Sequence, residues 1–176
     1  MKLYQGKTIK VKEITLLSIN DIKIITNMEA SGRIPDFTDV LKCRGGNDYW
    51  LSTSGYCAST RNNYVMTVDP HTGEVNEAGF MVRAAFDIRP VLVCSNLMTK
   101  HKIGDKIHFA DSNLTYTIIS ETKALADFSL GQMPFRREFH AEDANDFEKS
   151  DIKRWLDNWA KRERLIVPES EQSLER

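Results

Sequence analysis

The stretch Ile88-Arg-Pro-Val-Leu-Val-Cys94 constrains the fold of this 176-residue chain more than any other. It is the most apolar strand in the sequence, and such a strand needs burial. Proline has no N–H to give to a ladder, so Arg89 and Pro90 belong at the start of the strand rather than in mid-sheet. The guanidinium next to that proline is expected to brace a loop or a carboxylate, because it carries five donors in a fixed fork. A chain of this length can bury one good core, or two small cores that share an interface.

Other segments supply partners for that strand. Ile9, Val11 and Ile14 to Leu17 read as a strand. Ser18 then caps a helix through Met28, with Ile19, Ile22 and Ile25 at helical spacing, and Ser31-Gly-Arg-Ile-Pro35 breaks it. Tyr49-Trp-Leu-Ser is a short strand. Asn63-Tyr-Val-Met-Thr-Val runs into a turn at Asp69-Pro-His-Thr-Gly73, and Val75 and Phe80 to Val82 continue the meander. Further on, Ile107-His-Phe, a turn at Ala110 to Asn113, and Leu114 to Ile119 form a β-branched hairpin, with Ala124-Leu-Ala-Asp-Phe as another strand. Ser150 precedes a second helix, in which Ile152, Trp155, Leu156 and Trp159 fall on one face. The expected class is α+β, a mainly antiparallel sheet with two packed helices. Trp50, Val91, Leu92, Trp155 and Trp159 are expected to be buried. Asn96 to Lys102 reads as a linker, dividing a β-rich lobe (1–96) from a hairpin-plus-helix lobe (97–176) that can complete the same domain.

Composition narrows the function classes. With 24 basic and 25 acidic residues the net charge is -1, which argues against general nucleic-acid binding. No apolar run suggests a signal peptide or a membrane span, so a cytoplasmic protein is expected. Cys43, Cys57 and Cys94 are odd in number and widely spaced, which suits reduced thiols. Together with His71 they can in principle make a tetrahedral metal set. The alternative is that free cysteines act as small buried hydrophobes. No metal and no cofactor is expected. His71, His101, His108 and His140 join no nucleophile motif, and no Gly-rich loop precedes a helix, so no catalytic residue is assigned. The long polar loop Ser54 to Asn63 has the Tyr, Ser, Asn and Arg content of adaptable recognition loops. It and the edge of the meander are the expected partner-binding surface: Tyr56, Arg61, Asn62, Asn63, Asn76, Glu77 and Arg83. The charged segment Arg136 to Glu148 is the competing location.

Three segments together carry a resemblance: Tyr49-Trp-Leu-Ser-Thr-Ser-Gly, the meander from Asn63-Tyr-Val to Gly73-Glu-Val, and Ile88-Arg-Pro-Val-Leu. They resemble the WLRSPG…VRPAL pattern of an uncharacterised domain family of Gram-positive gut bacteria and their prophages. Ser52 and Ser54 stand where that family has Arg and Pro. Gly104-Asp-Lys-Ile-His-Phe, Tyr116-Thr-Ile-Ile and Asp151-Ile-Lys-Arg-Trp-Leu-Asp resemble segments that precede the block in the family but follow it here, as in a permuted or C-terminally extended member. The resemblance implies a C-type-lectin-like core and a binding scaffold. On that basis the expected function is a phage- or prophage-encoded protein that binds a host protein or complex, an inhibitor of host defence of the anti-CRISPR kind. A lectin-like module for a glycan or receptor, and a metalloprotein or enzyme built on the Cys/His set, are the alternatives.

Overall fold

Both helices begin where a serine can satisfy their first free N–H groups. The computed structural model describes residues 9–44, 46–55, 62–99, 101–109 and 112–165. Helix α1 (Ile19–Ala30) opens on a capping box. Ser18 Oγ accepts from the Asp21 N–H at 3.2 Å, and the Asp21 carboxylate accepts from the Ser18 N–H at 2.9 Å. Ser31 ends the helix, and Gly32 at φ +76° turns the chain away. Helix α2 (Asp151–Arg162) is capped by Ser150 Oγ, which accepts from the Lys153 N–H at 2.9 Å.

Among the described residues, ten strands make two five-stranded sheets rather than one. The first, in the order β1-β6-β9-β8-β7, joins β1 (Lys10–Thr15), β6 (Val91–Ser95), β9 (Lys123–Ala126), β8 (Thr115–Ile118) and β7 (Lys106–His108), all antiparallel. The second, in the order β10-β5-β2-β3-β4, joins β10 (Gln132–Pro134), β5 (Ala85–Asp87), β2 (Tyr49–Ser54), β3 (Tyr64–Val68) and β4 (Val75–Met81). Only β2 and β5 run parallel. The class is thus α+β and mainly antiparallel.

The apolar strand lies inside the first sheet, between β1 and β9. Leu92 and Cys94 point into a core cluster with Ile152, Leu156 and Trp159 of α2. Val91 points into a second cluster with Ile22 and Ile25 of α1. Burial on both faces explains its unbroken apolar run. Across the second cluster the Lys123 ammonium meets the buried Asp21 carboxylate at 2.9 Å and ties α1 to β9.

Two expectations need correction, the linker and the burial of Trp155. The segment read as a linker contributes Leu97, fully buried in the first core, so it is anchored. Strands from both sides of it share both sheets: β6, which carries β1 on its other edge, pairs with the later β9, and β10 pairs with the earlier β5. Trp50, Val91, Leu92 and Trp159 are buried, whereas Trp155 is only half-buried at the margin of the first core. The expected turn at 110–113 lies partly outside the described residues.

Candidate recognition surface

Strands β3 and β4 form a hairpin at one side of the second sheet, and its register is broken in the middle. Val65 faces Phe80 and Thr67 faces Asn76, so Glu77, Ala78 and Gly79 bulge opposite the single residue Met66. Gly79 makes the bulge possible. Its φ is +83°, and a Cβ on it would stand 2.5 Å from the Val65 carbonyl oxygen. The Asn76 side-chain oxygen accepts from the Gly79 N–H at 3.2 Å and closes the bend. A bulge on an edge strand blocks indiscriminate pairing and aims side chains outward. Gly79→Ala is expected to cost at least about 2 kcal/mol, since both the backbone conformation and the contact with β3 oppose a methyl group. Urea unfolding checks this; a variant as stable as the parent would mean that the bulge yields freely.

The bulge rests on the base of the 54–63 loop. The Ala78 carbonyl packs against Gly55, leaving no room there for a side chain, and the Gly55 N–H donates to the Tyr64 carbonyl at 2.9 Å. The segment 136–148 arrives at the same place. The Asn145 N–H donates to the Asn62 carbonyl at 2.9 Å, its amide group donates to the Tyr64 carbonyl at 3.3 Å, and Ser54 Oγ donates to the Asn145 carbonyl at 3.5 Å. Just beyond β4, the Arg136 N–H donates to the Val82 carbonyl at 3.1 Å, and the Arg83 guanidinium lies 4.8 Å above the Phe139 ring. Among the described residues, the base of the 54–63 loop, the edge of the meander and the 136–148 segment therefore form one continuous surface.

Of the expected partner-binding residues, Tyr56 and Arg61 lie outside the described residues, as does Cys57. Asn62, Glu77 and Arg83 are exposed. Asn63 is half-buried: its carbonyl accepts from the Val82 N–H at 2.8 Å, and its side-chain oxygen is enclosed with no hydrogen-bond partner among the described residues. Asn76 is half-buried and engaged in the bulge, so its role is to shape the surface.

Sequence reasoning overlooked Phe80, Phe139 and Asn145. Phe80 is 38% exposed and leans on Phe86 at 4.7 Å, which meets the buried Trp50 edge-on at 5.0 Å. An exposed ring held by buried rings is a rigid apolar anchor. Nearby, the Asp143 carboxylate accepts from Lys149 at 2.8 Å and Arg136 at 3.0 Å; these contacts hold it below the usual carboxylate range and keep the segment folded back on itself. The arrangement offers amide donors and acceptors, an exposed carboxylate at Glu77, a ring-stacked cation at Arg83 and an apolar anchor at Phe80. That is the chemistry of macromolecular recognition.

Of the residues weighed as a metal set, Cys57 lies outside the described residues, and Cys94 stands apart from Cys43 and His71. Cys94 is buried in β6 by the first core, where burial pushes its thiol up to about 12. Cys43 and His71 line a separate cleft at the other end of the β3–β4 hairpin. Among the described residues no group of three or more His, Cys, Asp or Glu side chains is placed to hold a metal ion. No helix among them is long and apolar enough to cross a membrane.

Comparison of the chain with protein-family models, with curated protein sequences and with solved structures finds no match.

Proposed function

We propose that this chain is a non-catalytic interaction protein, encoded by a phage or prophage, that binds a host protein or protein complex in the host cytosol. Inhibition of host defence, as anti-CRISPR proteins perform it, is the activity this reading fits. The observation that carries it is the convergence of the loop base, the β4 bulge and the 136–148 segment on one surface, with Phe80 and Arg83 fixed on a buried scaffold. Recognition residues held on rigid elements bind without first being ordered, which favours affinity. The likeness of Tyr49-Trp-Leu-Ser and Ile88-Arg-Pro-Val-Leu to a prophage-borne family supports the phage assignment.

The test is capture of a host partner by the parent chain, followed by affinity measurements on two folded double variants. Tyr56→Ala with Arg61→Ala is expected to weaken binding by roughly 30-fold for each residue and up to about 1,000-fold together, since hot-spot residues of these types each contribute about 2 kcal/mol. Glu77→Ala with Arg83→Ala is expected to weaken it less, with the melting temperature unchanged in both. Full affinity in the first variant but not in the second would move the site to the bulge and the 136–148 segment. Full affinity in both would defeat the assignment of this surface. Selective binding on a glycan array, with no protein partner, would favour the lectin-like alternative.

A further inference from the structure

The cleft lined by Lys42, Cys43, Arg44, Pro70 and His71 is separate from the recognition surface and has a volume of about 520 Å³. That is within the range of sites for small ligands. Its walls are fixed by backbone bonds. The Cys43 N–H donates to the Pro70 carbonyl at 3.0 Å and joins the 42–44 segment to the 69–73 turn. The turn is held by the Gly73 N–H donating to the Asp69 carbonyl at 2.8 Å, and by the Asp69 carboxylate accepting from the His71 N–H at 2.8 Å. The rim carries three basic side chains. Lys42 is loosely paired with Asp39 at 3.2 Å, both largely exposed, while Arg44 and His71 are exposed and have no carboxylate within ion-pair distance among the described residues.

Close to Cys43 of the cleft lies a second observation that points the same way. Arg89 is 3% exposed, and its guanidinium donates to the Ala126 carbonyl at 2.7 Å and to the Tyr49 hydroxyl at 3.3 Å, both neutral. No carboxylate among the described residues lies within ion-pair distance of it; the nearby Asp87 is engaged by Gln132 and Ser129, and Asp127 by Lys106, Thr115 and Thr117. A buried cation without a counter-ion is uncommon, because removing it from water is costly. Arg89 also acts on Cys43 in the cleft: burial pushes that thiol up, the guanidinium pulls it down, and the carboxylates of Asp87 and Asp127 add smaller upward pushes. Of the charged groups that act on Cys43, the guanidinium is the strongest.

We propose that this cleft binds an oxyanion of the phosphate type, held by Arg44 and His71 at the rim and balanced by the nearby Arg89. Guanidinium groups match the tetrahedral oxygens of phosphate in number and geometry. The Pro70 ring gives the non-ionic part of a phosphate monoester an apolar wall.

The full chain, labelled with ¹⁵N, is titrated with inorganic phosphate at constant ionic strength against a chloride control. Saturable amide shifts confined to Lys42–Arg44 and Asp69–Gly73 are expected, and phenyl phosphate is expected to bind more tightly than phosphate. Arg44→Ala with His71→Ala, both exposed and so compatible with the fold, is expected to weaken binding roughly tenfold or more. Shifts scattered over the basic surface, shifts reproduced by chloride, or unchanged affinity in the double variant would each overturn the proposal. An acetate titration that matches phosphate would replace the oxyanion class by a carboxylate one and so overturn it too. None of these results depends on the recognition surface at the other end of the hairpin.

Discussion

Trp50→Ala is expected to destabilise the fold by about 3–5 kcal/mol, the usual effect of emptying a buried tryptophan site. Trp50 is completely buried and lies edge-on to Phe86 at 5.0 Å and to Phe135 at 5.5 Å. Its indole N–H donates to the Met133 carbonyl at 3.0 Å, across the second sheet to β10. Truncation therefore removes packing area, two ring contacts and the donor that holds the edge strand. A domain of this kind has only about 5–15 kcal/mol to lose, so a large shift in the urea midpoint should follow. Trp50→Phe separates the causes. It keeps most of the ring contact but leaves the Met133 carbonyl without its donor, so a smaller loss of about 1–3 kcal/mol is expected. Equal losses in the two variants would show that the hydrogen bond, not the packing, dominates. A loss below about 1 kcal/mol for the alanine variant would mean that the site collapses around the missing ring.

The parts of this fold legible in the sequence are those whose causes are local. Ser18 and Ser150 announce helices because a capping side chain and the residues it serves lie within one turn. The β3–β4 turn is legible because Pro70 and Gly73 meet its backbone requirements directly, with Gly73 at φ +75°. Strands β5 and β10 are not legible. Each has three residues, and Gln132-Met-Pro134 has no alternation to detect. They exist because the two segments find each other across the fold, with Gln132 opposite Asp87 and Pro134 opposite Ala85. Trp155 shows the limit of periodicity. The pattern at Ile152, Trp155, Leu156 and Trp159 defines an apolar face, but Ile152, Leu156 and Ala160 occupy its centre and leave Trp155 at the margin. For the recognition surface, loop composition marks Asn62 and Glu77 as solvent-facing. It cannot show that Asn145, 81 residues beyond Tyr64, comes to rest beside them.

Arg89 is the residue where scaffold and function can be told apart by a single conservative substitution. The chain of bonds around it crosses the molecule: its guanidinium donates to the Ala126 carbonyl at the end of β9 and to the Tyr49 hydroxyl on β2, and Tyr49 in turn donates to the Leu41 carbonyl at 2.6 Å. The guanidinium also stands 5.2 Å from the centre of the Tyr49 ring. Burial pushes the Tyr49 phenol up to about 12, so it remains a neutral donor to Leu41 throughout the ordinary pH range. In Arg89→Lys a single ammonium cannot reproduce two donors at fixed separation, and it is more strongly hydrated than the guanidinium it replaces. A loss of about 2–4 kcal/mol is expected, from weakened charged hydrogen bonds and costlier burial of the charge. The pH dependence provides a second reading. Burial lowers the pKa of a lysine ammonium, so the folded variant sheds its proton at lower pH than the unfolded chain. The variant's deficit should therefore be largest near neutrality and shrink as pH rises through the lowered value, a trend that comes from the introduced lysine and is absent from the parent chain. If Arg89→Lys instead abolished partner capture while the melting temperature stayed unchanged, Arg89 would be a recognition residue, and its bonds to β9 and β2 would be incidental.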